Sequence, residues 1–131
     1  MAQVNILSVF VKDMAATLAF YRLLGLNIPP GVEEHPHVEV TLPGGFRLAF
    51  DSLAMMQTIY PELEPPQNHR NALGFLCESP VAVDALYTQM VAAGYESFRE
   101  PWDAFWGQRY AVVLDPDGSL IDLFAPLATP A

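Results

Sequence analysis

The sequence has little that could form a disulfide, hold a nucleic acid or cross a membrane. Cys77 is the single cysteine in 131 residues, so an intrachain disulfide is excluded. Six Lys and Arg residues stand against fifteen Asp and Glu, and the resulting net charge of −9 repels phosphate backbones and anionic lipids. No uninterrupted apolar run reaches the roughly 18 residues that a bilayer requires. We therefore expect neither a nucleic acid nor a membrane as partner.

Export features are also lacking. The first residues, Met1–Asn5, show no basic segment followed by an apolar block, as a signal peptide would. A chain with one cysteine and no such signal is expected in the cytoplasm. Cys77 follows an apolar run, which favours an inert core thiol over a reactive one. Apolar residues make up 52% and charged residues 16%, a balance typical of a packed globular protein.

The first half of the sequence predicts a strand, a helix and a hairpin. Asp13 can cap a helix, and Gly25 supplies the left-handed residue that ends one. Gly44 and Gly45 mark a tight turn between two strands. The predicted elements are the strand Val4–Val11, a helix from Met14 to about Leu24, a short edge strand Leu26–Pro30, and the strands His37–Leu42 and Phe46–Asp51.

The second half repeats this order. Ser79 and Pro80 can begin a helix, and Gly94 ends it as Gly25 ends the first. The segment Asp115–Gly118 has the composition of a turn. The predicted elements are the strand Asn71–Cys77, the helix Val81–Ala93, the strand Tyr95–Glu100, a loop Pro101–Trp106, and the strands Gln108–Leu114 and Ser119–Phe124.

A repeated strand, helix and set of antiparallel strands predicts a duplicated unit of the βαβββ type. The fold class is therefore α+β, with curled mixed sheets that enclose a cleft. We place the first module at 1–52, a connector at 53–70, the second module at 71–126 and a tail at 127–131, all within one compact domain. The connector is rich in proline, and we expect one helical turn in it near Met55–Tyr60.

Two segments carry a family resemblance. They are Val11–Leu26, with the sequence VKDMAATLAFYRLLGL, and Gly107–Phe124, with the sequence GQRYAVVLDPDGSLIDLF. The first resembles the entry helix, and the second the closing hairpin, of the vicinal oxygen chelate superfamily of glyoxalases, bleomycin-resistance proteins and extradiol dioxygenases. The resemblance covers nearly the whole chain and is closest in style to the metal-free, bleomycin-resistance-like members. It is weak for function, because one fold hosts many activities.

The resemblance implies a divalent metal held by four strand positions, two in each module. These positions fall near Ile6, near Gly74, at Ala49 and at Asp122, and among them only Asp122 can ligate a metal. One carboxylate leaves most of the coordination to water, so binding would be weak. We therefore expect no metal cofactor and no catalytic residue of the family type.

Other residues offer an alternative metal site. His35, His37 and Glu39 would share one strand face, and His69 precedes the second module. We favour solvated positions for the histidines. The alternative is a metal-dependent lyase, isomerase or dioxygenase in which His69 and His37 join Asp122 around Fe, Mn, Ni or Zn.

A cluster of aromatic residues predicts where a ligand binds. The candidate ligand-binding residues are Trp102, Phe105, Trp106, Tyr110, Asp122, Arg47 and Ala49. Aromatic rings give a broad contact area for a flat ligand and attract cations on their faces. The resemblance to the bleomycin-resistance branch implies acidic, aromatic-lined clefts that hold a drug without transforming it.

The function that we favour is therefore the binding and sequestration of a small organic molecule, cationic or aromatic, by a homodimer. Two further interpretations stay open. In the first, the rings of the aromatic cluster fill a core or a subunit interface in a domain whose role is association. Asp51 and Asp122 could act as an acid–base pair, although we favour carboxylates at a wet rim. For Arg47 we expect an ion pair with Asp51, and Arg109 is the other arginine that could meet a ligand.

Protein purified without a histidine tag and dialysed against Mn, Fe, Ni and Zn salts is expected to keep no stoichiometric metal, because one carboxylate holds a divalent cation weakly. Elemental analysis measures the metal content. Asp122→Ala is the matched control and should show the same trace level. About one ion per chain, lost in Asp122→Ala, would contradict the prediction.

Overall fold

The computed structural model describes residues 1–65 and 71–127 of the chain. It forms two compact units, Met1–Gln67 (unit 1) and Asn68–Ala131 (unit 2). In chain order the elements are β1 (Ile6–Val11), α1 (Met14–Leu23), β2 (His37–Thr41), β3 (Arg47–Ser52), α2 (Leu53–Ile59), β4 (Ala72–Leu76), α3 (Pro80–Ala92), β5 (Ser97–Ala104), β6 (Gln108–Leu114) and β7 (Leu120–Pro126). The predicted α+β class is confirmed.

Unit 1 contains a mixed sheet of three strands in the order β1-β3-β2. The central strand, β3, pairs with β1 in parallel and with β2 in antiparallel orientation. One face of this sheet is apolar because Leu48 and Phe50 alternate with residues of the other face. Tyr21 of α1 packs on that face, with its ring 4.8 Å from the ring of Phe50. The core of unit 1 therefore lies between α1 and this face.

Unit 2 contains a mixed sheet of four strands in the order β4-β7-β6-β5. β4 and β7 are parallel, and the pairs β6–β7 and β5–β6 are antiparallel. Val83 and Met90 of α3 are fully buried, as is a set of sheet residues that share one face, namely Ala111, Val113, Ile121, Leu123 and Ala125. These residues form the core of unit 2, and the opposite face of the sheet stays free of α3.

Both long helices begin and end with the same local chemistry. Asp13 accepts a hydrogen bond from the Ala16 amide, and Ser79 does the same from the Ala82 amide. The helices then end at Gly25 and Gly94, which have φ of 107° and 97°. Each end carries the paired backbone hydrogen bonds of a Schellman motif. The repeat that the sequence indicates is thus present at both helix ends.

The predicted edge strand Leu26–Pro30 is wrong, and the described part of unit 1, residues 1–65, has three strands where a full βαβββ module has four. A strand in this segment would need its backbone carbonyls to accept hydrogen bonds from a neighbouring strand, but two of them accept from a side chain. The Arg22 guanidinium donates to the carbonyl oxygens of Ile28 and Pro29, at 3.2 and 2.5 Å. The segment is consequently held as an irregular loop against the end of α1.

The predicted loop Pro101–Trp106 is also wrong in part, because β5 continues to Ala104. The strand contains two register shifts, between Ser97 and Arg99 and between Arg99 and Trp102. Pro101 has no amide hydrogen to donate, and a β-bulge is one of the few sheet positions that tolerates it. The connector helix likewise exceeds the one turn expected, since α2 covers seven residues and is capped by Ser52.

Within residues 1–65 and 71–127, no helix combines the length and the apolar character that crossing a membrane would require.

Replacing Asp13 with Ala should lower the free energy of unfolding by about 1 kcal/mol, because one amide of the first turn of α1 loses its acceptor. Chemical denaturation followed by circular dichroism measures this. Asp13→Asn keeps an acceptor oxygen and should stay close to the wild type. An Asn variant as unstable as the Ala variant would show that the cap does not act through this hydrogen bond.

Candidate ligand-binding site

The face of the unit 2 sheet opposite α3 carries the aromatic cluster. Residues directly opposite each other on neighbouring strands point to the same face. Trp102, Tyr110 and Phe124 are such neighbours across β5, β6 and β7, and so are Arg99, Val112 and Asp122 in the next row. We call this surface the aromatic face and define it by Arg99, Trp102, Tyr110, Asp122 and Phe124.

The register shift in β5 places Arg99 and Trp102 on the same side of the sheet. Three residues apart, they would point to opposite faces of a regular strand. Here Arg99 pairs with Val112 and Trp102 pairs with Tyr110, so β5 uses one residue more than β6 over this stretch. The Arg99 guanidinium carbon consequently lies 4.1 Å from the centroid of the Trp102 ring, a cation–π contact.

The rings meet edge to face. Trp106, in the turn after β5, lies with its ring centroid 6.1 Å from that of Trp102 and 5.3 Å from that of Tyr110. Tyr110 lies 5.5 Å from Trp102 and stacks on Phe124 at 5.9 Å. Such spacings are those of stable aromatic pairs. The Trp106 indole also donates a hydrogen bond to Gln108, so the cluster is braced by both packing and a polar contact.

Phe105 stands apart from this cluster. Its side chain is almost fully exposed, at 96%, and its ring contact is with Trp106, 5.0 Å away. The other rings are half-buried or, for Trp106, exposed at 48%. A ligand on the aromatic face would thus meet Trp102 and Tyr110 at its centre, with Trp106 and Phe105 at the rim.

Asp122 and Tyr110 form the polar centre of the aromatic face. The Tyr110 hydroxyl donates to Asp122 Oδ2 at 2.5 Å. Partial burial and the neighbouring carboxylate raise the pKa of Tyr110 to about 12, since the phenolate would be both desolvated and repelled. Tyr110 is therefore a permanent hydrogen-bond donor at physiological pH, and it orients the carboxylate of Asp122.

Gly74 leaves room on this face beside Asp122. The two residues are paired across β4 and β7, and Gly74 is exposed. A β-carbon at position 74 would lie 3.1 Å from Cε1 of Phe124. A side chain there would therefore crowd the Phe124 ring, so glycine keeps that ring in its place.

Unit 1 carries a polar network on the corresponding face of its own sheet, opposite α1. Nδ1 of His37 lies 2.5 Å from Asp51, and Nε2 lies 2.9 Å from Glu39. The guanidinium of Arg47 donates to Glu39 at 3.3 Å and to Asn5 at 2.6 Å. The two carboxylates raise the pKa of His37, mainly through the hydrogen bond with Asp51. Glu39 has a lowered pKa, chiefly because His37 hydrogen-bonds to it.

This network corrects the expectation for Arg47. Arg47 does not pair with Asp51, because four residues along a strand separate them by about 13 Å. Glu39 is instead the diagonal neighbour of Arg47 on the adjacent strand, and Asp51 lies directly opposite His37. His37 lies on the edge strand β2 with its side chain 46% exposed, as expected for a solvated edge residue, and it also belongs to this hydrogen-bonded row.

The remaining sequence candidates fall elsewhere. Ala49 is fully buried in β3. Arg109 lies on the α3 side of its sheet, where it donates two hydrogen bonds to Asp84 and one to Asp103. These hydrogen bonds raise the pKa of Arg109. They also hold its side chain on the α3 side of the sheet, away from the aromatic face. His69 lies outside the residues that the structure describes.

The metal positions implied by the family resemblance lack suitable donors. The register places Asp122 opposite Gly74, and Ala49 opposite Ser8, two residues beyond the position near Ile6 that we had expected. A glycine, an alanine and one hydroxyl leave Asp122 as the only charged ligand. Over residues 1–65 and 71–127, no three His, Cys, Asp or Glu side chains are placed to hold one ion. The residues present do not fit the family's metal centre.

His37, with Asp51 and Glu39, does not replace that centre. Its two ring nitrogens are engaged on opposite sides of the imidazole, one by each carboxylate. A chelating set would converge on a single point between the donors. The row is therefore an ion-pair network, and the absence of a metal cofactor stays a prediction.

Sequence reasoning missed Arg99, Phe124 and Gly74. A basic residue three positions before a tryptophan suggests no contact unless the bulge is known, although Pro101 between them was a signal for one. Phe124 was assigned to the last strand, but its partner across the sheet could be known only from the register. Gly74 lies at a predicted ligand position, and its lack of a side chain was read only as a missing metal donor.

Comparison with known proteins places the chain in a family. The family model described as Glyoxalase/Bleomycin resistance protein/Dioxygenase superfamily matches residues 3–123. Because the match covers nearly the whole chain, the protein belongs to this superfamily, as the sequence resemblance implied. No protein among the curated ones matches.

Solved structures agree with the family. A glyoxalase-related enzyme from Fulvimarina pelagi is 22% identical with a TM-score of 0.80, over 95% of this chain and 88% of that chain. A glyoxalase/bleomycin resistance protein/dioxygenase family enzyme from Burkholderia phytofirmans PsJN is 22% identical with a TM-score of 0.78, over 96% and 100%. A protein of unknown function from Agrobacterium tumefaciens str. C58 is 28% identical with a TM-score of 0.70, over 97% and 95%. At the identities of the first two, the likeness extends to the fold alone.

The His37 network should make unit 1 sensitive to pH. The pKa of His37 in the folded protein lies above the ordinary value of 6.5. The network therefore stabilises the folded state fully below pH 6.5, and this stabilisation is lost as the pH rises through the folded-state pKa of His37. Imidazole NMR titration should place the His37 midpoint above the ordinary value of 6.5. Asp51→Asn should lower this midpoint, because it removes the hydrogen bond that contributes most to the raised pKa. A His37 midpoint that Asp51→Asn leaves unchanged would refute the network.

Proposed function

We propose that the chain binds and sequesters a small organic molecule on the aromatic face. The observation that carries this proposal is a cluster of half-buried rings, Trp102, Tyr110 and Phe124, on the sheet face opposite α3. Each large aromatic side chain can bury 150–250 Å² in general, and contact with a flat ligand would remove the exposed part from water at about 25 cal/mol per Å².

The polar groups of the face favour an oriented ligand. Small-molecule sites are mostly apolar and carry a few placed polar groups that fix the orientation. Asp122, held by the Tyr110 hydroxyl, supplies one such group. No covalent step is required for this function, so affinity would depend on buried area and on these few contacts.

The metal-dependent alternative finds less support in the described residues. It requires Asp122 to share an ion with histidines, whereas Asp122 bonds to Tyr110 and His37 bonds to Asp51 and Glu39. The association-only interpretation would bury the aromatic residues between two copies of the chain. Homodimer formation and a cytoplasmic location stay predictions.

Both tryptophans of the chain, Trp102 and Trp106, lie in the proposed site, so intrinsic tryptophan emission reports on that site alone. A panel of flat organic compounds, with cationic, neutral and anionic members, should contain compounds that change this emission at saturation. Trp106→Ala should weaken the affinity for such a compound by about 2 kcal/mol, the usual cost of removing an aromatic hot spot.

Tyr60→Ala is the matched control, because it removes an exposed aromatic ring from unit 1. Its affinity should equal that of the unmodified protein. If no member of the panel changes the emission, or if both variants bind as tightly as the unmodified protein, the proposed site is wrong.

A further inference from the structure

Arg99 is placed on the aromatic face without a carboxylate to neutralise it. Three other arginines donate to a carboxylate each, in the pairs Arg22–Glu33, Arg47–Glu39 and Arg109–Asp84. Among the residues that the structure describes, Arg99 makes no such pair, although the chain has fifteen acidic residues against six basic ones. Its contact is the Trp102 ring. Because the chain is rich in carboxylates and none in its described parts pairs with Arg99, we infer that a ligand supplies the hydrogen-bond acceptor.

The contact with Trp102 prepares Arg99 to bind an anion. A guanidinium group has five N–H donors in a planar fork that matches a carboxylate with two parallel hydrogen bonds. An aromatic ring restrains this group through its π face and takes none of the donors in a strong hydrogen bond. The cation is therefore positioned beside the rings, and no side chain in the described parts of the chain occupies its donors.

The opposite side of the aromatic face offers an acceptor. Asp122 uses Oδ2 to accept from Tyr110, and that is its one hydrogen bond within residues 1–65 and 71–127. Asp122 and Arg99 occupy the same row across the sheet, with Val112 between them. Two strand spacings separate their positions by about 10 Å. A donor group at one end of a ligand and an anionic group at the other would satisfy both residues.

We propose that the ligand is a flat aromatic carboxylate whose acid group binds Arg99 and whose far end donates a hydrogen bond to Asp122. This inference rests on the proposed function and names the chemical class of its ligand. It replaces the cationic ligand suggested by the net charge of −9. That charge acts over long distances and is screened beyond roughly 8 Å at physiological ionic strength, whereas the Arg99 donors act in direct contact.

Three probes with the same hydroxyphenyl ring separate the charge states. They are para-hydroxyphenylacetate, an anion, para-ethylphenol, which is neutral, and tyramine, a cation. Each is titrated against tryptophan emission excited at the red edge of the band, where the phenol ring does not absorb. The anion should bind most tightly. Arg99→Gln should weaken binding of the anion by about tenfold or more and leave the neutral probe unchanged.

Two further variants complete the test. Arg99→Lys keeps the charge without the planar fork, so its affinity for the anion should be intermediate. Lys12→Gln removes one positive charge from unit 1 and should leave all three affinities unchanged. An anion that binds no better than tyramine, or that is equally weakened by Lys12→Gln and Arg99→Gln, overturns the inference.

The two proposals fail in different ways. Binding of para-ethylphenol or tyramine that is stronger than binding of the anion would leave the aromatic site standing and refute the carboxylate. Absence of an emission change with any of the three probes, together with none in the wider panel, would refute the site itself. Thermal unfolding of each variant, compared with the unmodified protein, verifies that a lost signal comes from a folded protein.

Discussion

The hydrogen-bond register between β5 and β6 is the constraint on which the candidate site depends. A strand alternates its side chains, so each residue inserted into β5 exchanges the two faces for everything beyond it. The shift between Arg99 and Trp102 moves the arginine onto the side of the rings. The preceding shift sets Ser97 toward α3, where its hydroxyl accepts a hydrogen bond from Tyr87. The start of β5 therefore faces the core, and its end faces the aromatic face.

The two units use one scaffold for different chemistry. His37 and Asp51 face each other on the unit 1 sheet, as Tyr110 and Phe124 do on the unit 2 sheet. An ion-pair row in unit 1 therefore corresponds to an aromatic stack in unit 2. The backbone ladder constrains which positions meet, but it does not constrain what the side chains do there. One family fold can therefore carry different side-chain chemistry at matching positions.

The sequence could predict the features that depend on residues close together in the chain. Caps such as Asp13 and Ser79 and helix-ending glycines such as Gly25 act on their immediate neighbours, so the helices and the duplicated order were visible in the residue pattern. Errors arose where a distant residue decided the outcome. The loop after α1 depends on the side chain of Arg22. The ion pair of Arg47 depends on Glu39, its diagonal neighbour on the adjacent strand. The contact between Arg99 and Trp102 depends on a bulge, which pairing with another strand creates.

The hydroxyl of Tyr110 in unit 2 and the imidazole of His37 in unit 1 respond differently to acid and base. A phenol that keeps its proton up to a pKa of about 12 neither gains nor loses charge anywhere in the range that cells experience. Asp51 and Glu39 raise the pKa of the His37 imidazole above its ordinary value of 6.5, so this ring gains a charge as the pH falls. A drop in pH would consequently alter the electric field of one sheet and leave the tyrosine donor of the other unchanged. At matching places in the duplicated fold, one side chain thus changes its charge with pH and the other keeps its proton.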